Sequence, residues 1–595
     1  MTYRLGITVD YDRDVRLTEQ SKVLLAKYYL KPEEASPQDG FARAAVAFSN
    51  DDFGLAQRIY DYVSMGWGMY SSPILSNAPL PGEKTRGLPI SCFLADVPDS
   101  LEGLIAHTSE LRWLSVMGGG VGGHWSGVRA ISEIAPGPIP FLHTVDADMQ
   151  AYKQGKTRKG AYAAYLDVSH PDIEEFLNIR VPSSGGDSNR KAFNIHNAVN
   201  ISDAFMHAVE ANAPWNLVDP KTHEIRKTIS ARKLWEEILT IRYRTGEPFL
   251  CFTDTANRSL PKSLSVQGLK INGSNLCTEI FLPTSAERTA VCCLSSINLR
   301  YYDEFKNTNI VEDFVVYLDN VLQYFIDHAP ESIQRAKYSA QRERSLGLGT
   351  FGFHSYLQTK RLALSDQQAA TANLEIFEWM NRKAVAASQQ LAVERGPYPD
   401  FVEFDGEIEK RNAHLLAIAP NANSASIAGS SPSIEFWNSN AFVHETRAGS
   451  HLVKNPELEQ LLVELGQNTD AVWESIILNR GSVQHLEFLS AHEKDVFKTA
   501  IEIDAMYAIQ FAADRQPFIC QGQSVNLFFD SNTDRRRLNE VHLQAWKRGL
   551  KSLYYLRTKK SANLENVQSK VTRVALKEEP ITTEAAADEC TACHA

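Results

Sequence analysis

Ala290-Val291-Cys292-Cys293-Leu294-Ser295-Ser296-Ile297-Asn298-Leu299 is a short apolar run rich in strand-forming residues. Three runs of the same character, Ala161–Val168, Phe193–Ile201 and Pro248–Phe252, lie in the same stretch of chain. They alternate with helical segments such as Ser230–Tyr243 and Ser365–Arg395. Strands of this kind separated by helices argue for an α/β core with much parallel sheet.

Working outward, residues 1–70 read as a helical segment. Thr18–Leu30 comes first, followed by amphipathic stretches at Phe41–Phe48 and Asp52–Trp67, each introduced by capping-type residues. Downstream, a helix is expected over Arg536–Leu553, running into Tyr554-Tyr555, after which hydrophobic periodicity fades. From Leu576 the chain is acidic and poor in large apolar side chains, as in Glu584–Glu589, so a flexible tail is expected. The division that follows is 1–70, a helical segment; 71–525, the α/β core; 526–575, a small helical region carrying the tyrosine pair; and 576–595, the tail.

The 595 residues, 43% hydrophobic and 22% charged, describe a folded globular chain rather than a fibrous or disordered one. A net charge of −11 without a Lys/Arg block disfavours a grip on nucleic-acid polymer. No run of 18 apolar residues occurs and the start lacks the apolar core of a signal peptide, so a cytoplasmic location without membrane contact is expected. Eight cysteines are too few for a disulfide scaffold of this size, and in a reducing compartment grouped cysteines point to metal or redox chemistry.

Two glycine fingerprints, Gly118-x-Gly120-x-x-Gly123 and Gly347-x-Gly349-x-x-Gly352, formally match a dinucleotide-binding turn. The first follows the helical stretch Asp99–Met117, whereas that turn must follow a strand, so tight turns and close backbone packing are the better reading. Cys590-Thr591-Ala592-Cys593-His594 matches a haem-attachment pattern, but haem needs an exported chain and a pocket, and structural zinc needs two more ligands nearby. A dithiol that exchanges with another disulfide fits a mobile tail better.

Ser274-Asn275-Leu276-Cys277-Thr278-Glu279 sets an amide, a thiol and a carboxylate at alternate positions, which an extended backbone would turn to one side. The carboxylate could take a proton from a substrate hydroxyl, the amide could hold a second hydroxyl, and the thiol could be the reactive centre. Cys92 and Cys292 each sit in strand-like apolar runs, consistent with packing or, together with a tail dithiol, with a substrate-reducing pair. Tyr554-Tyr555 is open to a packing role as well.

Taken in order, these motifs resemble the large catalytic subunit of class I ribonucleotide reductase, over roughly residues 50–595. The resemblance rests on Ser91-Cys92, Asp99-Ser100-Leu101, Gly118–Arg129, Gln154–Ala161, Asn275–Glu279 and Val291–Ser295. It continues through Arg344–Gly349, Pro420–Ser426, Ser433-Ile434-Glu435, Leu553–Tyr555 and the terminal cysteine pair.

The resemblance implies a ten-stranded α/β barrel of two five-stranded halves, with a central finger loop whose tip is Cys277. It implies that Cys277 carries a thiyl radical, Glu279 is the general base, Asn275 binds the ribose hydroxyls, and Cys92 with Cys292 supplies the reducing hydrogens. Cys293 is not required by the family pattern, and strand alternation would turn it away from Cys292. The roles of Cys251 and Cys520 stay open.

By the same resemblance, Tyr554 and Tyr555 relay a radical from a separate dimetal small subunit, and Cys590 with Cys593 reduces the Cys92–Cys292 disulfide, drawing on thioredoxin or glutaredoxin. Ser72, Ser91, Asn421, Ala422, Asn423 and Ser424 would lie at the substrate. Asp99, Ser100, Arg129, Gln154 and Arg158 would bind or relay a dNTP or ATP effector in a homodimer. No cofactor or metal is expected in this chain itself, and no ATP-cone is matched ahead of Cys92. An adenosylcobalamin-dependent class II reductase acting without a small subunit is the alternative, since it would not need the tyrosine pair.

Overall fold

The computed structural model describes residues 2–83, 87–152, 161–182, 191–404, 406–446 and 449–558. The effector-loop residues Gln154 and Arg158, and the tail with Cys590 and Cys593, lie outside the described residues.

The chain opens on a hairpin of β1 (Thr2–Arg4) and β2 (Ile7–Val9), which the helical reading of residues 1–70 omits. Its turn places Leu5 and Gly6 at positive φ, the geometry of a two-residue hairpin without the usual Asn-Gly signature. The expected helices follow at Glu19–Tyr28, Pro37–Ala47 and Phe53–Ser64, capped by Thr18, Ser36 and Asp52. The Pro37–Ala47 helix is buried along most of its length.

The remaining strands are β3 (Gly68–Tyr70), β4 (Cys92–Asp96), β5 (Gly120–His124), β6 (Ala161–Asp167) and β7 (His196–Ile201), followed by the hairpin of β8 (Pro214–Val218) and β9 (Ile225–Ser230). Then come β10 (Phe249–Phe252), β11 (Thr289–Asn298), β12 (Leu346–Phe351), a hairpin of β13 (Ala441–Thr446) and β14 (Gly449–Lys454), and β15 (Leu527–Phe529), β16 (Ser552–Leu553) and β17 (Leu556–Thr558).

β4, β5, β6, β7 and β10 form a parallel half-barrel. β11 and β12 begin a second half, which continues through bridges from Leu348 to Leu416 and from Ile418 to Gln523. Tyr554 N–H donates to Val525 O, which brings in β16. The halves join antiparallel at both seams, β11 against β4 and β10 against β16. Counting the extended segments at 414–418 and 521–525, ten strands close the barrel among the described residues.

The interior strands are buried on both faces because helices cover the outside and the finger fills the inside. The helix Ile310–His328 covers β11 and β12 from outside, and Gln367–Arg395 packs on that helix. The helix expected to reach Leu553 ends at Lys547, because Gly549 at φ 78 turns the chain into the barrel's last strand. That strand therefore comes from within the segment 526–575. Among the described residues no helix is long and apolar enough to cross a membrane.

The glycine fingerprints serve packing. Gly347 and Gly349 lie inside β12, and a Cβ on Gly349 would stand 2.4 Å from Ala417 O. A Cβ on Gly122 would stand 2.0 Å from Ser274 O and 2.9 Å from Asn275 Cα, so the finger passes against bare β5 backbone. Gly122→Ala is accordingly expected to destabilise by about 1–3 kcal/mol. Gly127→Ala, with nothing within 4 Å of the added Cβ, should stay within about 0.5 kcal/mol of the parent in thermal unfolding.

Candidate active site

The finger crosses the barrel and is bonded by both halves. From the first half, Tyr165 Oη donates to Asn275 O at 2.5 Å, and His124 Nε2 lies 3.1 Å from Ser274 O. From the second, Ser524 Oγ donates to Cys277 O at 2.5 Å, Ser552 Oγ to Thr278 O at 2.7 Å, and Gly522 N–H to Glu279 O at 2.8 Å.

Residues 275–279 form a turn rather than the extended segment expected from their alternation. Asn275 Oδ1 accepts from the N–H groups of Glu279 and Ile280 at 3.1 and 3.2 Å, folding the chain back, and Thr278 sits at φ 65. A β-branched residue in that region is strained backbone held by its surroundings. Asn275 is thus the brace of the finger tip, and its Nδ2 is buried without a partner among the described residues.

Cys277 and Glu279 line a small cavity of ≈ 30 Å³ together with Cys92, Ser91, Asn421 and Ser71. Cys92 and Cys292 are direct partners across the antiparallel β4–β11 seam. Side chains so paired share one face with Cβ atoms about 5 Å apart, and both belong to one interior cluster with Ile280 and Ala417. Cys293 points to the opposite side, where its thiol approaches Leu318 O on the outer helix layer. A Cβ on Gly347 would meet Cys292 Sγ at 2.6 Å, so the absence of a side chain there makes room for the thiol.

Burial sets the ionisation of this site. Desolvation pushes the Glu279 carboxyl up to about 7, even with Ser524 Oγ donating to it at 3.3 Å. Desolvation, reinforced by neighbouring Cys92, raises the Cys292 thiol well above its ordinary value, keeping the S–H intact. Cys251, on β10, is similarly raised and packs with Cys277 and Tyr554. Cys520 accepts from the N–H groups of Leu415 and Leu416, a bond inside the barrel wall.

Tyr554 is buried in the same cluster as Cys277, while Tyr555 is half-buried. Their ring centroids are 4.3 Å apart, and Phe249 touches both rings at 4.7 and 4.9 Å. Both tyrosines line a surface cleft of ≈ 720 Å³ with Glu435, Asn526 and Arg557. Glu435, in the quoted Ser433-Ile434-Glu435 motif, accepts from Asn526 N–H, and Asn526 Oδ1 accepts from Tyr555 N–H.

Pro420–Ser424 leads into the helix Ala422–Ala428. Asn421 is held by Ser296 Oγ and by its own bonds to Thr350 O and Ala419 O, while Asn423 points its amide toward the N-terminal segment. Ser72 opens the helix Ser72–Asn77 and is buried. At a separate place, Ser100 caps the helix Leu101–Val116, and Arg129 pairs with Asp99 through two contacts of 3.0 Å. Asp99, Ser100 and Arg129 are therefore brought together.

Sequence reasoning missed several residues. Ser524 and Tyr165 hold the finger. Ser71 brings to the cavity a buried hydroxyl without a partner among the described residues. His196 lies 3.4 Å from Tyr555 Oη and 2.7 Å from Glu247. Burial opposes ionisation of Glu247, but Arg180 and His196 hold its carboxyl below the usual range. None of these sits in a local motif; only the Ser-before-Pro pattern around Ser71-Ser72 offered a signal.

Comparison with known proteins agrees with this geometry. The model for the all-alpha domain of ribonucleotide reductase matches residues 15–83, and the model for its barrel domain matches 90–410 and 406–556. A putative ribonucleoside-diphosphate reductase large subunit of Frog virus 3 (isolate Goorha) is 50% identical, over 97% of this chain and 98% of its own. The ribonucleoside-diphosphate reductase large subunit of Invertebrate iridescent virus 3 is 40% identical, over 99% of this chain and 100% of its own.

The solved class Id ribonucleotide reductase alpha subunit of Actinobacillus ureae is 35% identical, covering 94% of this chain and 99% of its own, with a TM-score of 0.81. Its class speaks for class I over the cobalamin-dependent alternative. With both domain models matched in order and whole-length relatives at this identity, the chain belongs to the ribonucleotide reductase family, an oxidoreductase family, as a large subunit of class I type.

Proposed function

We propose that this large subunit reduces ribonucleoside diphosphates to 2′-deoxyribonucleotides for DNA synthesis, with Cys277 as the radical-bearing residue and Cys92 with Cys292 as the reducing dithiol. The observation that carries the reading is the direct pairing of Cys292 with Cys92 beside the cavity that Cys277 and Glu279 line.

In this reading the oxidising equivalent comes from a separate small subunit bearing the metals. It passes through Tyr555 to Tyr554, whose phenoxyl takes the hydrogen atom of the Cys277 S–H. The thiyl then removes the ribose 3′ hydrogen, a reversible step because S–H and activated C–H bonds are of comparable strength. Glu279 takes the 3′-hydroxyl proton, and the amide of Asn275 holds the ribose hydroxyls. The 2′-hydroxyl leaves as water with a proton from the dithiol. The remaining thiol hydrogen goes to the 2′ carbon and Glu279 returns its proton to the 3′ oxygen, while the two thiols supply the two electrons and end as a disulfide, and Cys277 returns its hydrogen to the 3′ carbon. Ser72, Ser91 and Asn421 to Ser424 would hold the diphosphate, for which an open helix start supplies N–H donors.

Cys590 and Cys593 would re-reduce the disulfide by exchange with thioredoxin or glutaredoxin. A dNTP or ATP effector would bind at Asp99, Ser100 and Arg129 in a homodimer, with Gln154 and Arg158 relaying its identity. A cytoplasmic location follows from the need for protein dithiols as reductants.

The decisive assay is deoxynucleotide formation from CDP with dithiothreitol and a dNTP effector, comparing added small subunit with added adenosylcobalamin. Activity with the small subunit supports the relay, and activity with adenosylcobalamin alone overturns it. Cys277→Ala is expected to abolish turnover with an unchanged melting temperature.

Glu279→Gln should lower kcat by about 10²–10⁴-fold. The base works only when ionised, so wild-type activity should rise with pH through about 7 and the variant should lose that limb. Because burial raises this carboxyl from its ordinary 4.5, the folded state loses stability as pH rises from there to about 7 and the cost is complete at pH 8, so the Gln variant should melt no lower at pH 8. Tyr554→Phe should silence small-subunit-dependent turnover while leaving CDP binding intact.

A further inference from the structure

Tyr29 belongs to neither the finger nor the dithiol, yet its hydroxyl joins two residues of the diphosphate reading. Tyr29 Oη lies 2.9 Å from Ser72 Oγ, and Asn423 Nδ2 donates to Tyr29 Oη at 3.3 Å. Ser72 and Asn423 come from distant parts of the chain, one opening the helix Ser72–Asn77 and the other in the first turn of the helix Ala422–Ala428.

The tyrosine is itself fixed. It caps the C-terminal end of the helix Glu19–Tyr28, with its N–H bonded to Leu25 O at 2.9 Å. Its carbonyl accepts from Arg43 Nη2 at 3.2 Å. Arg43, fully buried and paired with Glu34, also donates to Leu75 O and Ala78 O at the far end of the helix that Ser72 opens. The N-terminal helices and the Ser72 helix are thus one braced unit, and Tyr29 is the point at which it meets the Pro420–Ser426 loop.

An amide N–H can only donate, so the Tyr29 oxygen is the acceptor from Asn423, and a hydroxyl, which donates as well as accepts, bonds Ser72 Oγ in either direction.

We propose that Tyr29 is a positioning residue for the substrate diphosphate: its hydroxyl holds Ser72 and Asn423 at a fixed spacing, making the N-terminal helical segment part of the substrate site. The proposal rests on the reading of Ser72 and Asn423 as diphosphate residues. It predicts that the segment acts on substrate affinity and not on the radical chemistry.

The test is steady-state kinetics of the full chain with its small subunit, using CDP and a saturating dNTP effector. Tyr29→Phe keeps the ring and removes only the hydroxyl. It should raise KM for CDP about five- to tenfold, the worth of one or two neutral hydrogen bonds, with kcat unchanged. Ser72→Ala and Asn423→Ala should each raise KM, and Tyr29→Phe combined with Ser72→Ala should raise it by less than the product of the two single effects, since the Tyr29–Ser72 bond is lost only once.

An unchanged KM in Tyr29→Phe, beside raised values in Ser72→Ala and Asn423→Ala, overturns the role of Tyr29 and leaves the diphosphate reading standing. Unchanged KM in all three overturns the diphosphate reading itself, and this proposal with it. A fall in kcat at constant KM also overturns the proposal. Should Tyr29→Phe fail to fold by its melting curve, Tyr29→Leu, which also removes the hydroxyl, takes its place in the same comparison of KM and kcat.

Discussion

Everything at the site depends on the finger being held from both halves of a closed barrel. The chain at Ser274 and Asn275 runs against β5 where Gly122 has no side chain. Its carbonyls are then taken by Tyr165 and His124 on one side and by Ser524, Ser552 and Gly522 on the other. A thiol carried on such a loop has little freedom, because its backbone cannot move without breaking bonds to two sheets. The left-handed Thr278 is tolerated for the same reason, its strain being offset by the bonds around it. In the proposed reaction the thiol would meet a tyrosine on one side and a substrate hydrogen on the other, and this kind of fixation suits it.

The same enclosure sets the electrostatics. Removing water raises the Glu279 carboxyl toward neutrality and keeps Cys292 as a thiol. Both effects suit the proposed reaction, since a base near neutral pH can accept a proton and return it, and a protonated dithiol holds the hydrogens that a reduction consumes. The tyrosine rings lie in the apolar cluster that contains Cys277, and they continue to the surface cleft. Contact between Tyr554, Tyr555 and Phe249 gives a short aromatic route through otherwise dry protein.

Much of this was legible in the chain. The runs Ala161–Val168, Pro248–Phe252 and Ala290–Leu299 became strands because β-prone apolar residues that must be covered on both faces have few other solutions. The N-terminal helices began where Thr18, Ser36 and Asp52 could cap them. Alternation separated Cys292 from Cys293 correctly, because β11 is a regular strand there. The same rule failed at Asn275–Glu279, where the Asn275 side chain competes for backbone N–H groups and turns the chain. The hairpin at β1 and β2 escaped because Leu5-Gly6 carries half of a turn signal.

What the sequence by itself determined is the inventory: which thiols, carboxylate, amide and tyrosines exist, in which order, and that strands alternate with helices to carry them. Local chemistry suffices for this, since propensity, capping and motif spacing act over a few residues. Only the tertiary structure decided which of them meet. The pairing of Cys92 with Cys292, the approach of Tyr554 to Cys277 and the bridge from Tyr29 to Ser72 and Asn423 join residues far apart in the chain. Such contacts are set by barrel closure and strand register, and no local pattern encodes them, because each depends on where the whole sheet places its neighbours.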